Sequence, residues 1–265
     1  MKSDIQTEYV LKLLERDERL DERKLDEFRK IKLETDVIKR AEGSARVKFG
    51  KTEVIVGIKL DIAQPFPDMP NMGILKTSAE FSPIASADFV AGPPGEDAIE
   101  LARVVDRGIR EGECINLEKL CLVEGEKVWG VYIDIHTINH DGNLLDASAL
   151  AAVAALKTAK LPKLEDDKII RDEFQGPLPI EHIPITVSVG KVLDKFLIDP
   201  TREEEEVLES KLSVSIREDG KICAMQKSGN GSLKLEEIEK MIDLAAKKSK
   251  ELRKILSGMR WGGKY

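Results

Sequence analysis

The sequence predicts an α+β protein built from two related αβ units, in which sheets pack against helices. In each half, stretches with alternating apolar residues precede a helical pattern, which indicates strands followed by a helix. A charged stretch with several prolines, residues 162–184, separates the two halves. Of the 265 residues, 42% are hydrophobic and 34% are charged, which allows a large core and excludes wholesale disorder.

These observations divide the chain into four parts. Residues 1–30 are predicted to form an N-terminal helix and arm, and residues 31–165 the first αβ unit. Residues 185–258 are predicted to form the second αβ unit, and residues 259–265 a tail. The two units share an order of elements but no residue-level repeat.

The N-terminal helix is predicted to be amphipathic. Ser3 and Gln6 have the spacing of a capping box, and apolar residues follow at helical intervals. These apolar residues are Ile5, Tyr9, Leu13 and Leu14.

Strands dominate the start of the first unit. Residues 45–60 alternate in polarity on either side of the turn signal Gly50-Lys51, which predicts a β-hairpin. Residues 65–73 contain three prolines and are expected to form a loop. The other strands predicted in this unit lie at residues 74–81, 120–123 and 128–138.

The first unit also contains two predicted helices. Glu96 and Asp97 follow a Pro-Pro-Gly break and place negative charge in the first turn of a helix that runs to about Glu111. Residues 145–160 form an alanine-rich helix that is apolar all round, which predicts burial between layers. Pro162 is expected to end this helix.

Four strands and a long helix are predicted in the second unit. Ser232 follows a Gly-Asn-Gly break and is expected to cap a helix that ends near Leu256. The acidic run 203–206 is interpreted as the solvated start of a helix. The strands are predicted at residues 185–189, 196–199, 212–216 and 222–225.

Spacing and composition exclude several kinds of site. His136 and His140 are four residues apart but fall in a strand and the loop after it, so no metal site is predicted. No nucleotide-binding loop is present in the sequence and no cofactor is expected. Cys114, Cys121 and Cys223 are isolated, which indicates small buried hydrophobic residues and a cytoplasmic location. No stretch approaches the ~18 apolar residues that indicate a membrane helix.

Because the net charge is −7, any contact with nucleic acid must come from a local basic patch. The helix that begins at Glu96 offers such a patch, since Arg103, Arg107 and Arg110 lie within ~60° of one another, opposite an apolar side. Spacing alone leaves two interpretations open. The arginines either pair with neighbouring acids on a solvated face or contact successive phosphates. The neighbouring acids are Glu100, Asp106 and Glu111.

The order of motifs resembles the RNase PH family. Residues 19–23, 41–54, 99–107 and 133–147 carry the resemblance, which extends from about residue 21 to residue 256. The chain departs from the family at Glu22, where the family motif has Gly. The resemblance implies an RNase PH-like fold, with two related αβ units of the ribosomal protein S5 domain 2-like type.

Within this family, the chain is most similar to archaeal exosome subunits that lack an active site. Active relatives carry a Gly-Thr/Ser-Arg phosphate loop where this chain has Asn143, Leu144 and Leu145. They also carry an acid before the strand that follows the linker, and aligning the prolines puts His182 there, with Glu181 one residue away. The resemblance therefore implies no catalytic residue, and a non-catalytic role in a phosphorolytic 3′→5′ RNA-degrading complex.

The resemblance further implies partners. It predicts a hetero-hexameric ring, a trimer of heterodimers with a catalytic RNase PH-type exosome subunit, together with RNA-binding cap proteins and no membrane. Single-stranded RNA would pass through the ring and contact Arg103 and Arg107, with Arg110 on the same face.

Two other functions stay open on the sequence. The chain could itself be an active phosphorolytic 3′→5′ exoribonuclease that uses Glu181, which the missing phosphate-loop arginine disfavours. A small-molecule kinase on a related αβ superfold would need a nucleotide loop, and residues 229–232 are too short and too late for one. Many Lys and Glu with few amides are typical of a thermophile.

Overall fold

A computed structural model describes residues 4–166 and 168–258, and in it five helices accompany three sheets. The α+β prediction is confirmed. Two predictions, the cap at Ser3 and the tail at residues 259–265, lie outside the described residues. The helices are α1 (Asp4–Glu15), α2 (Glu96–Glu111), α3 (Leu144–Thr158), α4 (Arg202–Glu205) and α5 (Leu235–Ser257).

The first sheet has six strands and contains the predicted hairpin. Its main order is β1-β2-β3-β6-β4, and β5 pairs with β6. All neighbours are antiparallel except β4 and β6, which are parallel. Gly50 occupies the hairpin turn at φ 58°, a left-handed conformation that favours glycine. The strands are β1 (Ile31–Thr35), β2 (Gly43–Phe49), β3 (Thr52–Ala63), β4 (Ile74–Phe81), β5 (Cys121–Val123) and β6 (Lys127–Asn139).

A two-stranded sheet and a four-stranded sheet follow. Strands β7 (Lys160–Glu165) and β8 (Lys168–Pro177) pair only with each other among the described residues. The second large sheet is antiparallel with the order β10-β9-β11-β12. Its strands are β9 (Ile185–Val192), β10 (Lys195–Ile198), β11 (Ser210–Ile216) and β12 (Ile222–Ser228).

Two local predictions are wrong, namely that Pro162 ends α3 and that Ser232 caps α5. The stretch 162–184 is largely the β7–β8 hairpin, and α3 already ends at Thr158. Pro162 lies inside β7, where the pairing register shifts on both sides of it and so tolerates a residue without an N–H. Ser232 does not cap α5. The Gly231 N–H bonds back to the Glu209 carbonyl at 2.7 Å, and α5 begins three residues after Ser232 with Lys234 as its cap.

Helix α3 joins the two units through one continuous core. It packs against β2 and β3 on one side and β9 on the other, so its predicted burial between layers is confirmed. Its alanines allow close approach: a Cβ added to Gly43 of β2 would lie 2.4 Å from the Ala155 carbonyl oxygen. The same hydrophobic cluster contains Val47 and Ile133 of the first unit and Val187 of the second.

Only one side of α1 is buried. Val10 and Leu14 pack against Val192 of β9 and its neighbours, whereas Ile5 is 79% exposed and Tyr9 55% exposed. The predicted apolar face is therefore wrong for the two N-terminal members. No described helix combines the length and the hydrophobicity required to cross a bilayer.

Buried ion pairs tie the N-terminal arm to the second unit. Arg29 donates from Nη2 to Asp199 Oδ1 at 2.7 Å and from Nε to Oδ2 at 2.9 Å, and both side chains are nearly inaccessible. Burial opposes the charge on Asp199, but Arg29 outweighs it and lowers the pKa of that carboxyl. Asn143, just before α3, also donates to Asp199 Oδ1 at 2.9 Å.

A second pair corrects the interpretation of the acidic run. Glu204 is wholly buried rather than solvated, and it accepts from Arg19 Nε at 2.8 Å. It also closes a capping box with Thr201 at the start of α4. The run therefore holds the arm in place as well as starting a helix.

Replacing Asp199 with Ala is expected to lower the free energy of unfolding by about 3 to 5 kcal/mol, because the buried guanidinium of Arg29 then loses its nearest carboxylate. Since the folded pKa is depressed, this stability exists above the ordinary pKa of about 3.9 and disappears as pH falls through the folded value. Chemical denaturation from pH 7 to pH 3 measures it. Asp194→Ala, in the exposed β9–β10 turn, is the control, and an equal effect of both substitutions would contradict the prediction.

Candidate nucleic-acid interface

The face of α2 that carries arginines is turned outward by the packing of its other side. Leu101, Val105 and Ile109 are buried in the core. Gly108 lies so close to the second sheet that an added Cβ would stand 2.8 Å from Ser215 Oγ. The helix therefore cannot rotate, and Arg103 is forced toward solvent.

The three arginines differ in their partners. Arg110 donates from Nε to Asp106 Oδ2 and from Nη2 to the Leu75 carbonyl, both at 2.9 Å. Arg103 and Arg107 are exposed and make no hydrogen bond or ion pair within the described part of the chain. The interpretation that the arginines pair with neighbouring acids therefore fits Arg110 only. The guanidinium groups of Arg103 and Arg107 keep their full capacity to bind an anion.

These two arginines border a groove of about 390 Å³ between α2 and β12. The β12 side contributes Met225 and Gln226, and Ser213 and Ser215 of β11 also line the groove. Apolar surface is available as well, since Ile99 is 49% exposed and Met225 46% exposed. Glu96 and Glu100 line the groove together with these groups. The arrangement combines cations, apolar surface and one amide, which are the groups that single-stranded nucleic acids contact.

A second cavity, of about 300 Å³, adjoins the groove at the start of α3. Leu144 and Leu145 line it, and the Asn143 N–H donates to Glu205 Oε1 at 3.1 Å. Lys211 of β11 approaches the same Glu205 oxygen at 3.4 Å. One backbone N–H at this helix start, that of Asn143, is thus already bound to a carboxylate of the chain.

His182 comes shortly before β9, as the sequence predicts. Its Nδ1 is 2.7 Å from Glu218 Oε1, beyond the C-terminal end of α2. The Leu144 cavity is bordered by Asp97 in the first turn of α2, and a helix of 16 residues spans about 24 Å. His182 therefore lies at the opposite end of α2 from this cavity, which Lys211 helps to line.

Glu181 belongs to the same distant region. It accepts from Asn116 Nδ2, and its own N–H donates to the Cys114 carbonyl at 2.9 Å. His136 lies in β6 and His140 in the loop after it, as predicted. Among the described residues, no group of three or more His, Cys, Asp or Glu side chains could hold a metal ion.

Sequence reasoning missed Glu205, Lys211 and Gln226. Glu205 sat within an acidic run that gave no sign of a contact with Asn143. Lys211 and Gln226 are single polar residues in strands, and only the pairing of β11 with β12 beside α2 brings them to the cavities. Of the cysteines, Cys114 is buried as predicted, whereas Cys121 and Cys223 are half-buried.

Comparison with known proteins gives consistent matches over nearly the whole chain. The profile for domain 1 of the 3′ exoribonuclease family, RNase PH, matches residues 27–162, and the profile for domain 2 matches residues 182–248. Exosome complex component Rrp42 of Thermococcus gammatolerans is 49% identical over 256 residues, 95% of this chain and 94% of the relative. Rrp42 of Pyrococcus furiosus is 46% identical, with 95% and 92% covered.

Solved structures agree. A chain of the Archaeoglobus fulgidus exosome with RNA bound to the active site superposes with a TM-score of 0.89 at 45% identity, covering 95% of this chain and 98% of that one. A chain of an archaeal exosome core gives a TM-score of 0.86 at 43% identity, with 96% and 97% covered. The RNase PH-like fold of two αβ units is thereby confirmed.

A structural role for His182 predicts a specific pH dependence. Partial burial opposes the charge of Glu218, but hydrogen bonds from His182 and the Ile183 N–H outweigh it and lower the pKa of Glu218 to about 2. Glu218→Gln should therefore cost up to about 1 kcal/mol of folding stability near neutral pH, a small value because the side chain is partly exposed.

The loss is expected to shrink as pH falls from the ordinary glutamate pKa of about 4.3 toward the folded value. Denaturant titrations at pH 7, 5 and 3 would reveal it. A difference between the two proteins that is constant over this range would argue against the ion pair.

Proposed function

The chain belongs to the RNase PH family of 3′ exoribonucleases, and on this basis we propose that it is a non-catalytic, RNA-binding subunit of an archaeal exosome. In this role it completes a phosphorolytic complex that degrades RNA from the 3′ end. The observation that carries the proposal is the pair of unpartnered guanidinium groups on α2, Arg103 and Arg107, at the border of a groove.

The start of α3 supports the absence of catalysis. A phosphorolytic site must bind inorganic phosphate, and the amide of Asn143 is already bound to Glu205. Leu144 and Leu145 present neither a hydroxyl nor a cation to a phosphate oxygen. The alternative of an active enzyme that uses Glu181 is disfavoured, because Glu181 lies near the opposite end of α2 from this cavity.

The spacing of the arginines supports RNA binding. Arg103 and Arg107 are one helical turn apart, about 6 Å along the axis, which is close to the separation of successive phosphates in an extended strand. Each can contact one phosphate, and such contacts do not depend on base sequence. Arg110 is on the same face, but it remains bound to Asp106 and contributes least.

Assembly is part of the proposal. The relatives are named as exosome components, and the similar structures are chains of archaeal exosomes. We place this chain in a hetero-hexameric ring, a trimer of heterodimers with a catalytic RNase PH-type subunit, which also carries RNA-binding cap proteins. The complex is proposed to act in the cytoplasm.

The double substitution Arg103→Ala, Arg107→Ala is expected to leave the ring intact and weaken its RNA binding, because exposed, unpaired arginines add little to folding. Binding to a single-stranded oligonucleotide, measured by fluorescence anisotropy in phosphate-free buffer, should lose about 0.7 from the log–log salt slope per lost contact. Arg110→Ala is the matched control and should change the slope least. An unaltered affinity and slope in the double variant would mean that these arginines are merely solvated.

The purified chain alone is expected not to phosphorolyse RNA. Incubation with single-stranded RNA, phosphate and Mg²⁺ should release no nucleoside diphosphate, whereas addition of the catalytic partner should start release. Omission of phosphate controls for contaminating hydrolytic nucleases. Release by the chain alone, at the rate of the assembled complex, would establish the active-enzyme alternative.

A further inference from the structure

We propose that Gln226 binds the ribose 2′-hydroxyl of the RNA whose phosphates contact Arg103 and Arg107, so that the α2–β12 groove discriminates RNA from DNA. This inference rests on the proposed function and adds a specificity-determining residue to it. It starts from the position of Gln226, which lines both the groove and the adjoining cavity at the start of α3.

Gln226 is on the side of β12 that is turned toward α2. Residues alternate along a strand, and on β12 Ala224 and Gln226 are half-buried while Met225 and Lys227 are exposed. Both Ala224 and Gln226 line the groove opposite the arginines. The amide is thus held by a paired strand, in register with Ser213, rather than by a loop.

The side-chain amide of Gln226 is free to bind a ligand, in contrast to its polar neighbours. It makes no hydrogen bond within the described residues. The hydroxyl of Ser213 is paired with Ser188 at 2.8 Å, and that of Ser215 with Thr186 at 2.7 Å. Of the described side chains that line the groove, Gln226 is therefore the neutral one that still offers both a donor and an acceptor.

The charges in the groove fix where a backbone can lie. Glu96 and Glu100 occupy the N-terminal end of the α2 side and repel phosphate, whereas Arg103 and Arg107 attract it. A strand bound to both arginines must bridge them with a ribose, since ribose links successive phosphates. The exposed apolar side chain of Ile99, which lines the groove on the α2 side, offers the bases a surface without hydrogen-bonding specificity.

The chemistry of the amide matches the ribose hydroxyl. A 2′-hydroxyl both donates and accepts, and it is the group by which a protein distinguishes RNA from DNA. The oxygen of a glutamine amide can accept a hydrogen bond from this hydroxyl, and the amide NH₂ can donate one to the hydroxyl oxygen. If the amide bound a base edge instead, RNA binding would depend on base sequence. The other contacts in the groove, to phosphates and to apolar surface, carry no such dependence.

The test compares RNA and DNA oligonucleotides of one sequence on the assembled ring, in phosphate-free buffer so that no phosphorolysis occurs. Gln226→Ala should weaken RNA binding about three- to tenfold, as expected for one lost hydrogen bond, and leave DNA binding unchanged. Gln175→Ala, the same change at an exposed position of β8, is the matched control and should alter neither. An RNA-to-DNA affinity ratio that is the same in wild type and Gln226→Ala would overturn the inference.

Two further measurements distinguish a failure of this inference from a failure of the proposed function. The double variant Arg103→Ala, Arg107→Ala should weaken the binding of RNA and of DNA alike. If it weakens neither, the proposed RNA-binding function fails; if it weakens both while Gln226→Ala has no selective effect, only the inference about Gln226 fails. Oligo-A, oligo-U and oligo-C should respond equally to Gln226→Ala, and a loss confined to one base would replace ribose recognition with base recognition.

Discussion

The buried carboxylate of Asp199 holds separate parts of the chain together. A buried charge is costly unless it is paired, so the arm must bring Arg29 to it and the start of α3 must bring Asn143. Asn143, the cap residue just before α3, adopts φ 54°. Its N–H donates to Glu205, and the next residue, Leu144, lines the cavity, so Asp199 helps to position one wall of that cavity.

Most of the fold could be predicted because its signals are local. The β2–β3 hairpin follows from alternation around a turn, and the start of α2 follows from Glu96 and Asp97 after a break. The β7–β8 hairpin could not be predicted, because charges and Pro162 obscure its alternation. Nor could the burial of Glu204, since its partner Arg19 is 185 residues away along the chain.

In the candidate interface, too, some features follow from local sequence signals and others do not. The outward face of α2 follows from helical periodicity, but the periodicity does not say which guanidinium is free. Asp106 is turned toward Thr77 of β4, to which it is hydrogen bonded at 3.0 Å, and on that side it meets Arg110. Arg107, by contrast, makes no hydrogen bond or ion pair with any described residue. Gln226 reaches the groove only through the folding of a second sheet beside α2.

The unpartnered arginines also have a kinetic consequence. The chain as a whole carries a net charge of −7, so a distant polyanion meets a net repulsion. Arg103 and Arg107 supply a local attraction where they border the groove. Under the proposed function, this attraction favours retention of a strand that arrives at the groove. Ionic strength should act on such selection through the rate of arrival, because the Debye length of about 8 Å at physiological salt limits how far the local attraction extends.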